Sequence, residues 1–146
     1  MKNLYLLFLI FSLGSAFADP SPPANRDPQW LTESRVNIKS GKYEQAIQIL
    51  EGVNQTNSAE WNNLMGFSLR QKQPPDLIGA QKYYETALSI NPSHRGALEY
   101  YGMLKLINGD LDGAELLLAR LNKACFFWCE EYSDLKEAIK KYKLAR

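Results

Sequence analysis

The sequence predicts an all-α protein, built from about three tandem antiparallel helix pairs and closed by one further helix. Three observations carry that expectation. Ala46, Ala80 and Ala114 recur at an interval of 34 residues, a period at which helix pairs stack and bury their apolar faces against their neighbours. Gly41 and Gly109 stand five residues before the first and third of these alanines, where a tight turn would join the two helices of a pair. Around them apolar residues fall at i, i+3, i+4 and i+7, as in Tyr43, Ala46, Ile47 and Leu50.

A chain of 146 residues is long enough for one domain with its own core. Its apolar content of 45% is that of a globular protein and argues against wholesale disorder. Residues 1–18 carry one basic residue, Lys2, and no acid, so the remainder holds 16 basic and 16 acidic side chains. A neutral chain lacks the excess of Lys and Arg on which nucleic-acid binding and polybasic membrane attachment rest.

Residues 1–18, MKNLYLLFLIFSLGSAFA, read as a secretory signal peptide. Lys2 precedes an apolar run from Leu4 to Leu13, and Ala16-Phe17-Ala18 forms a small-residue cleavage site. The run is short for an uncleaved membrane-spanning anchor. The residue directly after Ala18 is Asp19 and not cysteine, so lipid attachment is not expected there. Residues 19–28 contain four prolines and are expected to form an extended leader. The first helix pair is expected over residues 29–56, the second over 57–92 and the third over 93–123. Asn57 or Ser58 can cap the helix that follows.

The second pair contains compensating changes of length. Ser34 to Gly66 spans 32 residues and Gly66 to Gly102 spans 36. The linker before the pair is thus two residues short and its Pro74-Pro75 turn two residues long, which keeps the alanines in phase. Leu77, Ala80, Tyr83, Tyr84, Ala87 and Leu88 give its second helix a broad apolar face. A closing helix is expected over residues 130–145, with Tyr132, Leu135, Ile139 and Tyr142 as its apolar stripe. Glu130 and Glu131 at its start and Lys140, Lys141 and Lys143 near its end suit the helix dipole.

The run Gly66, Ala80, Tyr84, Ala87, Pro92, followed by Gly102, Gly109 and Ala114, resembles the tetratricopeptide repeat. From about residue 28 onward the chain is similar to small secreted bacterial tetratricopeptide proteins that end in a cysteine-framed turn, here CFFWCEEYSDL. The resemblance implies an α-solenoid and places the exported protein in the bacterial periplasm. It puts Trp30 at the first-helix tryptophan position and Trp61 one place off it, so Trp61 is expected to be less securely buried. Glu33 and Ser34 replace the usual leucine and glycine of the first unit, and Lys105 replaces a large apolar residue in the third. The alkyl stem of Lys105 could pack while its ammonium reaches water.

The resemblance also implies a binding face on the first helices of the pairs. Its outward positions are Leu31, Arg35, Ile38 and Lys39, then Asn63, Phe67, Arg70 and Gln71, then Glu99, Met103, Leu106 and Ile107. Arg35, Asn63, Phe67, Arg70, Glu99 and Met103 are the expected partner-binding residues. Their mix of apolar groups and a few charges suits a protein partner.

Chemistry is sparse. Cys125 and Cys129 are the only cysteines, and in an exported protein they are expected to form a disulfide. A straight helix holds an i, i+4 disulfide poorly, so the chain is expected to break near Phe126-Phe127-Trp128. The alternative is a reduced pair that handles thiols or Cu(I). His94 is the sole histidine and is expected on the surface at a turn. No phosphate-binding loop, nucleophile elbow or metal-ligand cluster occurs in the sequence. The expected function is therefore a non-enzymatic interaction module of the cell envelope, without a cofactor or metal.

Overall fold

The computed structural model describes residues 27–145; the expected signal peptide and most of the proline-rich leader lie outside them. Seven helices and no strand occur among the described residues: α1 (Gln29–Lys39), α2 (Tyr43–Val53), α3 (Ala59–Gln71), α4 (Leu77–Ile90), α5 (Arg95–Ile107), α6 (Leu111–Ala124) and α7 (Glu130–Leu144). They pack as successive hairpins, α1 on α2, α3 on α4 and α5 on α6. The first helices also touch across pairs, α1 with α3 and α3 with α5, and α7 lies against α5 and α6. No helix among the described residues is long and apolar enough to cross a membrane.

Local chemistry sets the helix starts. Ser58, Asp76, His94 and Asp110 precede α3 to α6, and each side chain accepts a hydrogen bond from a backbone N–H of the first turn. Gly41 and Gly109 take the left-handed backbone that their turns require, with φ of 71° and 79°. In both turns a backbone N–H reaches back five residues, from Lys42 to the Asn37 carbonyl and from Asp110 to that of Lys105. In the middle pair Asp76 reaches back seven, to Leu69. Those are the two additional residues read from the sequence.

Ala46, Ala80 and Ala114 have no exposed surface, as the repeat interval requires. Gly66 lies where a Cβ would come within 2.8 Å of Tyr84 Cε1 and 3.1 Å of the Ala80 carbonyl oxygen, so its missing side chain lets α4 approach α3. Gly102 serves a different neighbour: a Cβ there would lie within 2.7 Å of both Leu135 methyls on α7. The closing helix is thus seated on the third pair through this glycine of α5.

The apolar interior has two parts. Leu31, Leu50, Trp61, Leu64 and Met65 fill the space between the first two pairs. A larger cluster runs from Ala80 and Tyr84 through Leu98, Leu104 and Leu121 to Leu135 and Ile139. Trp61 corrects the expectation from register. It is 3% exposed, donates its indole N–H to the Leu50 carbonyl at 2.9 Å and meets the Tyr83 ring edge-on. Trp30 is the more exposed of the two, because α1 begins the described chain and has no pair before it.

Lys105 packs as its alkyl stem allows, and its ammonium meets Asp110 at 3.0 Å above the Tyr101 ring. After Ala124 the chain leaves helix, and Cys125 and Cys129 face each other with their sulfurs at disulfide distance and Cα atoms 5.9 Å apart. Phe126, Phe127 and Trp128 project outward between them. In α7 Leu135 and Ile139 are buried, while Lys136, Glu137, Lys140 and Lys141 are exposed, so the helix closes the array with one polar side.

Candidate functional site

The first helices and α7 share one face of the molecule, and that face holds two concavities. A cleft of about 600 Å³ is lined from α1 by Arg35 and Ile38, from α3 by Glu60, Asn63 and Leu64, from α5 by Gly96, Glu99 and Tyr100, and from α7 by Glu131, with His94 at the turn. A second hollow of about 500 Å³ is lined by Arg70, Met103, Leu106, Ile107, Ala138, Lys141 and Tyr142. Of the residues expected to bind a partner, Arg35, Asn63 and Glu99 therefore meet in the first cleft, and Arg70 and Met103 in the second.

Phe67 stands between them. Its ring meets Tyr43 at 6.3 Å and Tyr100 at 4.6 Å. The Arg70 guanidinium lies over both the Phe67 and the Tyr100 rings, at 5.3 Å and 5.9 Å. Leu31, also expected on this face, is instead buried in the first core against Trp61 and Leu64. Its side chain fills the space between α1 and α3 and offers nothing to a ligand.

The polar end of the cleft is a chain of charges that sequence reasoning missed. Glu60 accepts from Arg35 Nη2 at 2.9 Å and lies 3.0 Å from His94 Nε2. Arg35 also pairs with Asp27 at 3.0 Å. Burial works to raise the Glu60 pKa, but the hydrogen bonds from His94 and Arg35 outweigh it and hold the carboxyl below its ordinary range. His94 is not the surface histidine expected. Its Nδ1 accepts from the Ala97 backbone N–H at 3.2 Å to cap α5, which leaves Nε2 as the proton-bearing atom facing Glu60 in the neutral ring. A signal was available: Glu60 and His94 are 34 residues apart, the repeat interval itself.

The floor of the cleft carries two largely buried polar side chains, Asn63 and Glu99. Asn63 is 4% exposed, and its Oδ1 has no hydrogen-bond partner. Glu99 is 6% exposed. Burial, reinforced by the charges of Asp134 and Glu131, pushes its carboxyl up to about 8, with Arg70 opposing. Burial likewise raises Tyr100 to about 12. Cys125 and Cys129 are joined to each other, so in this state neither supplies a thiolate.

No protein-family model matches this chain, and no curated protein is similar enough to count as a relative.

Proposed function

We propose that this protein is a non-enzymatic interaction module of tetratricopeptide type, exported to the cell envelope, which binds an extended segment of another protein. The segment lies along the face made by α1, α3, α5 and α7. One observation carries the reading: that face sets a buried acceptor without a partner beside an arginine–aromatic cluster. Asn63 Oδ1 is buried and unbonded, and Arg70 is stacked over Phe67 and Tyr100. An unsatisfied buried acceptor costs about 1–3 kcal/mol, a cost that binding would offset. Arginine and aromatic anchors in partly enclosed sites are the groups that dominate protein–protein affinity.

The test is affinity capture from native envelopes with wild-type bait and with Phe67→Ala and Arg70→Ala baits. A partner recovered by wild type and lost with either variant supports the reading. A partner retained equally by both variants refutes the face, and an empty wild-type capture after crosslinking refutes the function.

A further inference from the structure

We infer that the floor of the first cleft, at Glu99 and Asn63, receives a basic side chain, a lysine ammonium or an arginine guanidinium, from the polypeptide bound along this face. The inference rests on the proposed function and adds the chemistry that the bound segment must carry.

Most of the charges lining the cleft are already paired with one another. Glu60 is taken by Arg35 and His94, and Arg95 stands 3.5 Å from Glu131. Lys105 and Asp110 pair outside the cleft. Glu99 remains: its carboxyl makes no hydrogen bond or ion pair among the described residues, although the residue is only 6% exposed. Beside it Asn63 Oδ1 is fully buried and has no hydrogen-bond partner. Both line the same cleft, so two acceptors without an assigned donor stand side by side there.

Charge gives the sign of the missing group. Glu130, Glu131 and Asp134 of α7 add negative potential at Glu99, and Arg70 of α3 opposes them. Lys39 lines the cleft from its exposed rim. A carboxyl buried without a partner is costly, and an entering cation with several N–H donors would satisfy both Glu99 and Asn63. The walls suit the rest of such a side chain. Ile38, Leu64 and Tyr100 line the same cleft and offer apolar surface to an alkyl stem. Gly96 keeps the approach open, since a Cβ there would come within 3.1 Å of Asn63 Nδ2. In the free protein a proton occupies the Glu99 carboxyl near neutral pH. The cation displaces it, and one proton passes to solvent for each segment bound.

The experiment is a selection of random linear peptides displayed on phage against the purified full chain and, in parallel, against Glu99→Gln. Peptides recovered on the wild type should share a Lys or Arg at one register, and those recovered on the variant should not. A synthetic peptide from the first pool should bind wild type at least about tenfold more tightly than its analogue with citrulline for Arg or norleucine for Lys. That difference should vanish on Glu99→Gln. Peptides without a shared basic residue, or a preference that survives in the variant, overturn the inference and leave the proposed function standing. A selection that yields no binding peptide overturns both. Free arginine, lysine and spermidine form the second arm: saturation of the same residues by any of them at micromolar concentration, read by amide chemical shifts, would assign the site to a small molecule and overturn a polypeptide source.

Discussion

Glutamine at position 99 should make this protein more stable. The carboxyl of Glu99 moves from its ordinary 4.5 to about 8 in the folded chain, chiefly because it is buried. At about 1.4 kcal/mol per pH unit, holding the carboxylate ionised would cost at most on the order of 5 kcal/mol, and less to the extent that water in the open cleft screens the charge. At pH 7 proton uptake recovers about 1.4 kcal/mol, leaving at most about 3 kcal/mol against the folded state. The folded chain holds this proton more tightly than the unfolded one, so stability falls as pH rises between 4.5 and about 8. A neutral amide of the same shape escapes that loss. Thermal melts of wild type and Glu99→Gln across this range should show the variant ahead by up to roughly 10 °C at pH 7. The gap should close near about pH 4 and stop growing above about pH 8. Equal melting temperatures at pH 7, or a gap that ignores pH, would refute the claim that this carboxyl is buried without a partner.

Gly66→Ala should lower stability by about 1–3 kcal/mol in urea unfolding, because the added methyl meets Tyr84 and the Ala80 backbone, neither of which has free space behind it. Replacing Cys125 and Cys129 by serine should cost about 2 kcal/mol by the loop-closure model, with far-ultraviolet circular dichroism unchanged because α6 and α7 lie on either side of the bridge. A complete loss of helicity would show that the bridge does more than hold a turn. Phe127→Ser should shift the melting midpoint by less than about 0.5 kcal/mol equivalent, since the ring is almost wholly exposed.

The architecture was largely legible because it rests on a repeated spacing. The alanines, the two turn glycines and the compensating lengths around Pro74-Pro75 are all countable in the sequence, and each reappears as a buried contact or a hydrogen-bonded turn. What could not be counted was the partner of each side chain. Trp61 is buried because its indole N–H finds the end of α2, eleven residues away, a contact no register argument contains. Leu31 was expected to face outward from the repeat resemblance, yet the packing of α1 on α3 turns it inward. Gly102 lies on α5 of the third pair, yet the side chain that fills the space beside it comes from α7. The cleft was half legible. Arg35, Asn63 and Glu99 were marked individually, but the depth of Glu99 depends on α7 lying alongside α5, and the Glu60–His94 pair joins two different repeats.

The division of the apolar interior into two clusters has a dynamic consequence. The smaller one, at the amino-terminal end, holds α1 and α2 in place with few large side chains, so this pair should undock at a lower free energy than the rest, as terminal units of a stacked array do. Arg35 and Ile38 belong to that loosely held pair, whereas Glu99 and Glu131 belong to the firm end. A guest lodged in the cleft therefore clamps the frayable pair onto the rigid body. Amide exchange in α1 and α2 should slow when the cleft fills, while α5 and α6 scarcely change.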